Sequence, residues 1–588
     1  MTTAPSSITA QQQASSSKPK SRLARIVKRS VDAVRQAPGW SAGALLFAGV
    51  FALPVVAVVL LALAPSDDIW AHLSSTVLPT ALSNTTLLLA GAGLATLVIG
   101  TASAWLVTMY RFPGRALADR LLVLPLAMPA YIVAYAYAEL FDYAGPIQSG
   151  LRTAFGFRSP ADYYFPDIRS LGGAIVVFTA VLYPYVYLTA RASFIQQSVC
   201  VLEVARTLGR TAPAAFWAVA LPLARPALAA GVALVLMECL NDLGAVQYLG
   251  VETLSASIYA TWMQRGNLAG ASQLAVVMLG FVIALILLER YARGGARTHD
   301  TTGRVRAIPF EVLTGWRAWV ALALVSMPFI AGFVAPFAVL ARHALFHPEG
   351  WSPAEFLAAG ANSLLLAGIV SVCAVALALF FGYAARVAHN PVTDAATRIA
   401  ATGYALPGTV LAIGLMIPLA AFDNRVDAFM RDTFDISTGL MLSGTLFAVS
   451  LALIVRFLAV ALGSIEAGLN RISPSLDAAG RTLGASTLSI LTRIHIPILA
   501  PALAAAALLV FVDAMKELPA TLLMRPFNFE TLATHVYGLA AAERFEEAAL
   551  GAISIVIIGL LPVLLLHRTI ASGRAGSKPS GAVRNRRA

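Results

Sequence analysis

The sequence predicts an all-α, polytopic membrane protein, on the grounds of its composition, its long apolar runs and an internal repeat. Of its 588 residues, 58% are hydrophobic and 12% are charged, and the mean hydropathy is +0.76. A soluble domain carries about 25% charged residues. Long, nearly charge-free runs recur along the whole chain, and runs of this kind are typical of membrane-spanning helices. A single soluble core is therefore excluded.

About twelve spans are expected, six in each half of the chain, which form two parallel six-helix repeats. We place them at 41–64, 84–109, 121–141, 171–190, 226–248, 270–289, 318–340, 363–385, 399–421, 439–461, 500–524 and 549–567. The chain is accordingly divided into a disordered basic tail (1–40), a first repeat (41–292), a linker (293–317), a second repeat (318–567) and a basic tail (568–588).

The basic residues predict which ends of the spans face the cytoplasm. With a cytoplasmic N-terminus, 31 of the 42 Lys and Arg but only 8 of the 30 Asp and Glu fall in cytoplasmic segments (1–40, 110–120, 191–225, 290–317, 386–398, 462–499 and 568–588). This asymmetry follows the positive-inside rule, so both termini are expected in the cytoplasm. The basic segments carry no recognisable nucleic-acid-binding fold or aromatic stacking pattern, and no nucleic-acid partner is expected.

An internal repeat supports the division into halves. The chain reads EVARTLGRTAPAAFWAVALPLARPALAA at 203–230 and AAGRTLGASTLSILTRIHIPILAPALAA at 478–505, with RTLG, a proline thirteen residues after its glycine, and PALAA in both. Pro222 matches Pro497 and Glu238 matches Asp513, each 275 positions apart. Because each half has six spans, both copies keep the same orientation, and the repeat is parallel about an axis along the membrane normal.

The duplicated segment lies on the cytoplasmic side, between the fourth and fifth spans of each half. EVARTLG and DAAGRTLG are good helix formers that end at a glycine, which indicates a helix C-terminus. A second short helix, PAAFWAVAL or TLSILTRIHI, is expected to stop at the following proline. One such helix pair could be an ordinary interfacial structure. The same spacing in both halves favours a compact projection that docks into a partner protein.

These residues resemble the EAA loop of binding-protein-dependent ABC importer permeases. The first copy matches the motif at Glu203, Ala205, Gly209, Leu221 and Pro222. The second matches at Ala479, Gly484, Ile494 and Pro497, but Ala478 stands at the acid position and Asp477 lies one residue early. The resemblance implies the type I importer permease fold and ATPase-coupling residues at Glu203, Ala205, Arg206, Gly209, Pro222, Asp477, Arg481, Gly484 and Pro497.

The resemblance also implies the partners. Two ATP-binding cassette ATPase subunits would hold the coupling loops 203–222 and 477–497, and a periplasmic binding protein would deliver the substrate at the bacterial inner membrane. The chain lacks the Gly-x-x-x-x-Gly-Lys-Ser/Thr loop that cradles phosphates. We therefore expect a transport subunit and not an enzyme, with no cofactor on this chain and with ATP and magnesium on the ATPases.

The segments 238–259 and 513–537 resemble the fused ferric-iron importer permeases more narrowly. Ferric iron is the substrate that this resemblance implies, while thiamine, polyamine and phosphonate importers share the architecture. Two readings outside the family remain open at this point. One is a secondary transporter driven by an ion gradient, and the other is a membrane enzyme that acts on a lipid or polyprenyl substrate.

Charged residues within the predicted spans are costly and indicate function by default. Glu238 and Asp242 lie four residues apart on one helix face, as do Asp513 and Glu517 in the second repeat. We predict a translocation pathway at Glu238, Asp242, Asp513, Lys516 and Glu517; the alternative is that these residues simply pair with one another. His343 and His347 have metal-compatible spacing but no evident third ligand, so no metal site is predicted.

Overall fold

The computed structural model describes residues 38–66, 69–196, 212–293, 311–346, 352–388 and 390–572. Nearly all of this is helix, which confirms the predicted fold class. Two short parallel strands, β1 (Tyr110–Arg111) and β2 (Glu311–Val312), pair where the first half meets the start of the second. The predictions for most of the first tail, for the linker at 294–310 and for the last sixteen residues lie outside the described residues.

Eleven helices in the described part are long and apolar enough to cross a membrane, or twelve with a bent pair. The helices of the first half are α1 (Pro38–Ala62), α2 (Ile69–Met109), α3 (Arg115–Leu121), α4 (Ala130–Phe141), α5 (Pro146–Phe155), α6 (Leu171–Gln196), α7 (Phe216–Asn241), α8 (Gly244–Tyr248), α9 (Leu254–Tyr259) and α10 (Leu268–Arg293).

The helices of the second half continue the numbering. They are α11 (Trp316–Phe346), α12 (Pro353–Ala388), α13 (Pro391–Ala401), α14 (Gly408–Phe434), α15 (Leu446–Leu469), α16 (Pro474–Thr482), α17 (Thr487–Met515), α18 (Pro519–Met524), α19 (Leu532–Ala541) and α20 (Phe545–Ser572).

The span predicted at 121–141 is wrong, because these residues do not form one straight helix. The chain bends by 98° between Arg115–Ala127 and Ala130–Phe155. Pro129 precedes α4, and a residue before proline is pushed out of the helical region, as the extended Met128 shows. Pro407 stands in the same place before α14, so the predicted span at 399–421 is divided between α13 and α14.

Two more spans end earlier than predicted. The span placed at 226–248 ends at Asn241, and the one placed at 500–524 ends at Met515. Each is followed by a short helix, α8 or α18, that begins three or four residues later. Apolar composition continues across these breaks, so hydropathy alone does not reveal them. Their cause is local, because acidic side chains cap the short helices, as described below.

The two repeat prolines do not stop a helix, contrary to the prediction. A π-helical turn at Phe216–Ala220 leads directly into the segment that contains Pro222, and the turn at Leu491–His495 leads into the one with Pro497. A proline ring collides with the carbonyl four residues back in a regular helix. The wider π turn relieves that collision, so α7 and α17 run through their prolines without a break.

The two halves repeat the same hydrogen bonds at equivalent positions. An asparagine side chain early in the second helix of each half donates to a loop carbonyl, and the next residue's hydroxyl accepts a backbone N–H. The pairs are Asn84–Glu252 (3.1 Å), Asn362–Glu530 (2.9 Å), Thr85–Leu254 (3.0 Å) and Ser363–Leu532 (2.7 Å). The offset is 278 residues at both ends of these bonds (362 minus 84 and 530 minus 252), against 275 at the prolines. The first half is therefore three residues longer between its asparagine and its proline, and the second half is three residues longer between its proline and α19.

The first helix of each half packs on the other half. Helix α1 lies against α13 and α14 of the second half, and α11 lies against α4 of the first half, while each also contacts the last helix of its own half. Two glycines permit the close approach: a Cβ at Gly414 would lie 2.3 Å from the carbonyl oxygen of Pro54, and one at Gly332 would lie 2.1 Å from that of Ala180. The exchange of first helices ties the halves into one body.

Candidate functional site

A polar cavity of about 90 Å³ lies where the two halves meet. It is lined from one half by α6, by the end of α7 and by the start of α4. From the other half it is lined by α15, by the end of α17 and by Tyr404, three residues before the break at Pro407. All five residues predicted for a pathway line it, and the other polar residues around it are Tyr131, Tyr185, Asn241, Tyr404 and Arg456. The structure thus brings together charges that lie up to 279 positions apart in the sequence.

Glu238 and Asp513, the two equivalent acids, have different partners. Oε1 of Glu238 accepts a hydrogen bond of 2.8 Å from the hydroxyl of Tyr404. Oδ1 of Asp513 lies 3.0 Å from the ammonium nitrogen of Lys516, one turn along the same helix. Lys516 also lies within electrostatic range of Glu238. One ammonium group therefore serves two carboxylates that come from different halves.

Asp242 and Glu517, the other equivalent pair, hold the short helices in place. Oδ1 of Asp242 accepts from the N–H of Ala245, at 2.7 Å, in the first turn of α8. Glu517 accepts from the N–H groups of Ala520 and Thr521, both at 2.9 Å, in the first turn of α18. Carboxylates at a helix N-terminus satisfy free N–H groups and favourably oppose the helix dipole. These two acids are fixed by backbone contacts.

Sequence reasoning missed Arg456, which lies on α15 and is only 6% exposed. Its Nη1 lies 3.0 Å from Oε1 of Glu517, so the buried carboxylate has a buried cationic partner. The signal was present in the sequence: a single arginine interrupts the apolar run LALIVRFLAVAL. An arginine within a span marks an interior polar contact. The equivalent residue of the first half is Val181, so only the second half carries this charge.

The cavity has close-packed walls and one unsatisfied hydroxyl. A Cβ at Gly244 would lie 2.6 Å from Cδ2 of Leu518 and 2.8 Å from Cβ of Tyr131, so only glycine fits between the halves there. Tyr131 is 3% exposed, and its hydroxyl has no hydrogen-bond partner among the described residues. A second, more apolar cavity of about 360 Å³ adjoins the first and shares Tyr185, Tyr404, Asp513 and Lys516 with it.

The second candidate is the helix pair α16–α17, which contains Asp477, Arg481, Gly484 and Pro497. The side chain of Asp477 is directed inward and is 19% exposed: Nε of Arg386 lies 2.9 Å from its Oδ2, and Nε2 of His495 lies 2.7 Å from its Oδ1. Of the coupling residues predicted in the first copy, Pro222 is described, whereas Glu203, Ala205, Arg206 and Gly209 lie outside the described residues.

Arg386 links several elements through this contact. Its Nη1 donates to the carbonyl of Leu469 at 2.8 Å and its Nη2 to that of Ile472 at 3.0 Å, both at the end of α15. The hydroxyl of Tyr383, also on α12, donates to the carbonyl of Thr487 at 2.9 Å. The helices α12, α15, α16 and α17 are therefore bonded together at this end of the bundle.

The outer side of the helix pair is apolar and open. Leu483 and Leu488 are 87% and 62% exposed, and Arg481 is exposed beside them. Gly484 turns the chain with φ at +78°, a left-handed conformation that ends α16, and nothing lies within 4 Å of the position of its missing Cβ. On the inner side, Gly480 packs against Ile490, which a Cβ would approach to 2.9 Å. This surface can receive another protein.

His343 and His347, whose spacing in the sequence is compatible with a metal, can be followed only in part. Nε2 of His343 lies 3.2 Å from Oε1 of Glu139, a contact between the two halves, and His347 lies outside the described residues. In the parts of the chain that the structure describes, no group of three or more His, Cys, Asp or Glu side chains is arranged to hold a metal ion.

Comparison with known proteins shows that the chain is similar to one protein family and to several transport permeases. Residues 96–293 match the family described as binding-protein-dependent transport system inner membrane component. The Fe(3+)-transport system permease protein FbpB 2 of Haemophilus influenzae is 26% identical over 491 residues, which are 83% of this chain and 89% of that protein.

Two other relatives match a single stretch of about a third of the chain. The sulfate transport system permease protein CysT of Escherichia coli is 33% identical over 196 residues, 32% of this chain and 67% of that protein. The putative 2-aminoethylphosphonate transport system permease protein PhnU of Salmonella choleraesuis is 28% identical over 206 residues, 34% of this chain and 70% of that protein.

Proposed function

The chain belongs to the family of inner membrane components of binding-protein-dependent transport systems, and we propose that it is the fused permease subunit of an ATP-driven importer of ferric iron. One observation carries the choice of iron. The similarity to the Haemophilus Fe(3+) permease extends over both halves and most of both proteins, whereas the sulfate and phosphonate permeases match about one third of this chain.

The charge of the central cavity supports a cationic substrate. Four carboxylates and two basic groups line it, which leaves a formal net charge of −2. Oxygen ligands from carboxylate and phenol groups suit hard cations such as ferric iron. A sulfate or phosphonate anion would meet a repulsive field at this point. The volume of about 90 Å³ admits a small ion with a few waters, but not an extended polyamine or thiamine in this conformation.

Two ATPase subunits would dock on the segments around 203–222 and 477–497. At the second segment, the exposed Leu483 and Leu488 supply the apolar contact, and the inward contact of Asp477 with Arg386 transmits the push to the spans. ATP-driven closure of the ATPases would then rock one half of the chain against the other. This chain would supply the pathway, and hydrolysis of magnesium-bound ATP would take place on the partners.

The opposite end of the bundle would receive the substrate from a periplasmic binding protein. The concentration of Lys and Arg in the segments on the α16 side supports a cytoplasmic location for that side and for both termini. The protein would therefore lie in a bacterial inner membrane, with the cavity open in turn to the periplasm and to the cytoplasm.

The test is transport by the complete system. The chain is reconstituted in proteoliposomes with its candidate ATPase and binding protein, and uptake of ferric iron, sulfate, thiamine and spermidine is followed with and without ATP. ATP-dependent uptake of iron alone is expected. The double variant Gly209→Asp and Gly484→Asp should abolish uptake in a chain that is still inserted and folded, because a side chain strains the left-handed backbone at Gly484 and both changes place a negative charge in a docking segment.

Other outcomes separate the parts of the proposal. Uptake of sulfate, thiamine or spermidine instead of iron would keep the importer and overturn the substrate. Uptake that needs no ATPase would overturn the importer itself and favour a secondary transporter. Full activity of the double glycine variant would remove the coupling role from these segments.

A further inference from the structure

We propose that Glu238 and Asp513 together form a cation-binding subsite between the two halves, and that the ammonium group of Lys516 occupies this subsite at rest and is displaced by the passing cation. The proposal rests on the proposed function in one respect, namely that the cargo is a cation. It goes further by naming which of the charged residues bind the cargo and which residue closes the path.

The two carboxylates occupy equivalent places in the repeat. They lie 275 positions apart, one near the end of α7 and the other near the end of α17, and both line the cavity of about 90 Å³. A cation between them would be held by one side chain from each half. Rocking of the halves would then change the distance between the ligands, so that binding is strong in one state and weak in the other.

The remaining acids are not available for cargo. Asp242 and Glu517 bind backbone N–H groups of α8 and α18, and Glu517 also pairs with Arg456. By contrast, Glu238 accepts only the hydroxyl of Tyr404 as a hydrogen-bond donor among the described residues. In the described part of the chain, the Asp513 carboxylate has one ion-pair partner, the flexible Lys516 side chain, and both members of that pair are about a quarter exposed.

The lining of the cavity also points to an absent ligand. The hydroxyl of Tyr131 is buried without a hydrogen-bond partner among the described residues, although buried hydroxyls are normally satisfied. Tyr185 lines the same cavity, near both Glu238 and Asp513. An ion that enters with some of its water would give these phenol groups a partner. The carboxylate and phenol groups that would bind such an ion offer oxygen atoms, which suits a hard cation.

Lys516 has no basic counterpart in the first half, so the internal repeat does not account for it. It is the only lysine between residues 29 and 577. The equivalent residue of the first half is Asn241, whose Oδ1 accepts the N–H of Gly408 at 2.7 Å and so has a structural role. Two carboxylates and one ammonium leave a single negative charge at rest. An ammonium on a long flexible stem can be replaced by a more highly charged ion and return after it has passed.

The experiment observes Lys516 directly. The full chain in lipid nanodiscs is labelled with lysine carrying ¹³C at Cε, and the Lys516 signal is identified by its loss in Lys516→Arg. The four other lysines lie in the two terminal tails and serve as internal references. Gallium(III), a diamagnetic trivalent ion, is added as its citrate complex, with sodium citrate as the blank.

Displacement predicts a saturable shift of the Lys516 signal alone, with gallium but not with the blank. The shift should be lost in Glu238→Gln and in Asp513→Asn and kept in Glu466→Gln, an exposed acid on α15 outside the cavity. A Lys516 signal that gallium leaves unchanged would overturn the proposal. So would an equal shift in Glu238→Gln.

Transport by the complete system separates this proposal from the proposed function. If wild type imports iron, Glu238→Gln and Asp513→Asn should each lower the uptake rate by about tenfold or more, as is usual when one side of a buried charge contact is removed. Normal rates in both variants would overturn the subsite and leave the importer intact. If wild type imports sulfate and no cation, the substrate proposal and the subsite both fail, whereas the coupling role stands.

Discussion

Arg386 and Asp477 join the last turn of a long membrane helix to a helix that projects from the bundle. Nε of Arg386 lies 2.9 Å from Oδ2 of Asp477, with 15% and 19% of the two side chains exposed. In the motif that the sequence resembles, the acid lies one residue later, at a position that Ala478 occupies here. The acid of this copy is thus directed toward its own chain, where it can hold the helix in place.

If the chain is driven by ATPase subunits, as proposed, removal of this contact should weaken the link between the ATPase and the spans. Asp477→Asn and Arg386→Gln should each cost about 2 kcal/mol at the contact, because hydrogen bonds to charged groups contribute more than neutral ones. The expected result is ATP hydrolysis that continues while uptake falls. The ratio of solute imported to ATP hydrolysed measures this directly. Arg471→Gln, which changes an exposed arginine between α15 and α16 and outside the segment 477–497, should keep the wild-type ratio.

The pair also permits a double-variant comparison. If the two residues act through each other, Asp477→Asn combined with Arg386→Gln should be no worse than either change alone. Additive losses would contradict the contact as the cause.

The charge pair between Arg456 and Glu517 should be more sensitive to loss of one partner than to loss of both. Arg456→Met leaves a buried carboxylate without its cation, which costs about 3–5 kcal/mol in comparable sites. Arg456→Met with Glu517→Gln should recover part of this, because a neutral amide oxygen can still accept from α18. Thermal unfolding of the chain in detergent is the measurement. A double variant less stable than the single one would contradict this account.

A methyl group at position 244 should disturb the packing of the two halves against each other. Its Cβ would lie well inside contact distance of Leu518 and Tyr131. Overpacking of this kind costs about 1–3 kcal/mol. Gly244→Ala should therefore lower uptake strongly while the chain still inserts, and Gly538→Ala, where nothing lies within 4 Å, should not. Rates of uptake per inserted molecule, quantified by Western blot, compare the two variants; equal rates would be inconsistent with a tight contact.

Position 484 should require glycine because of its backbone conformation, and not because a side chain would lack space there. With φ at +78°, an alanine there is strained by about 1–2 kcal/mol even though its side chain would meet nothing. Gly484→Ala should increase hydrogen exchange across 474–490 and reduce coupling. Gly463→Ala, in the middle of α15 with equally open surroundings, is the matched control and should be neutral or slightly stabilising. Unchanged exchange at 474–490 would show that the turn tolerates the strain.

Hydropathy and spacing were sufficient for the order of the membrane spans and for their number to within one, because a span of lipid thickness needs a long apolar run whatever surrounds it. The same signals could not show the breaks at Pro129 and Pro407 or the short helices after Asn241 and Met515, since apolar residues continue through them. The π turns before Pro222 and Pro497 were also beyond sequence reasoning, which expected the helices to stop there.

The sequence was sufficient to predict which acidic residues form the candidate site, but not which groups each of them contacts. The repeat identified Glu238, Asp242, Asp513 and Glu517 as two equivalent pairs. Which of them cap a helix and which face the cavity depends on how α8 and α18 fold back, a tertiary property. Arg456 could have been found from its isolation in an apolar run. Its partner could not, because 61 residues separate it from Glu517.

The exchange of first helices has a consequence for biosynthesis. Helix α1 emerges from the ribosome more than 300 residues before α13 and α14, the partners on which it packs. Ser41 on α1 meets Thr393, at 3.1 Å between the two hydroxyl oxygens, only after the second half has been inserted. During that interval the translocon, the lipid or a chaperone must cover the inner face of α1. A nascent chain that terminates in the linker would keep this face exposed, which gives the quality-control proteases of the membrane a means to recognise it.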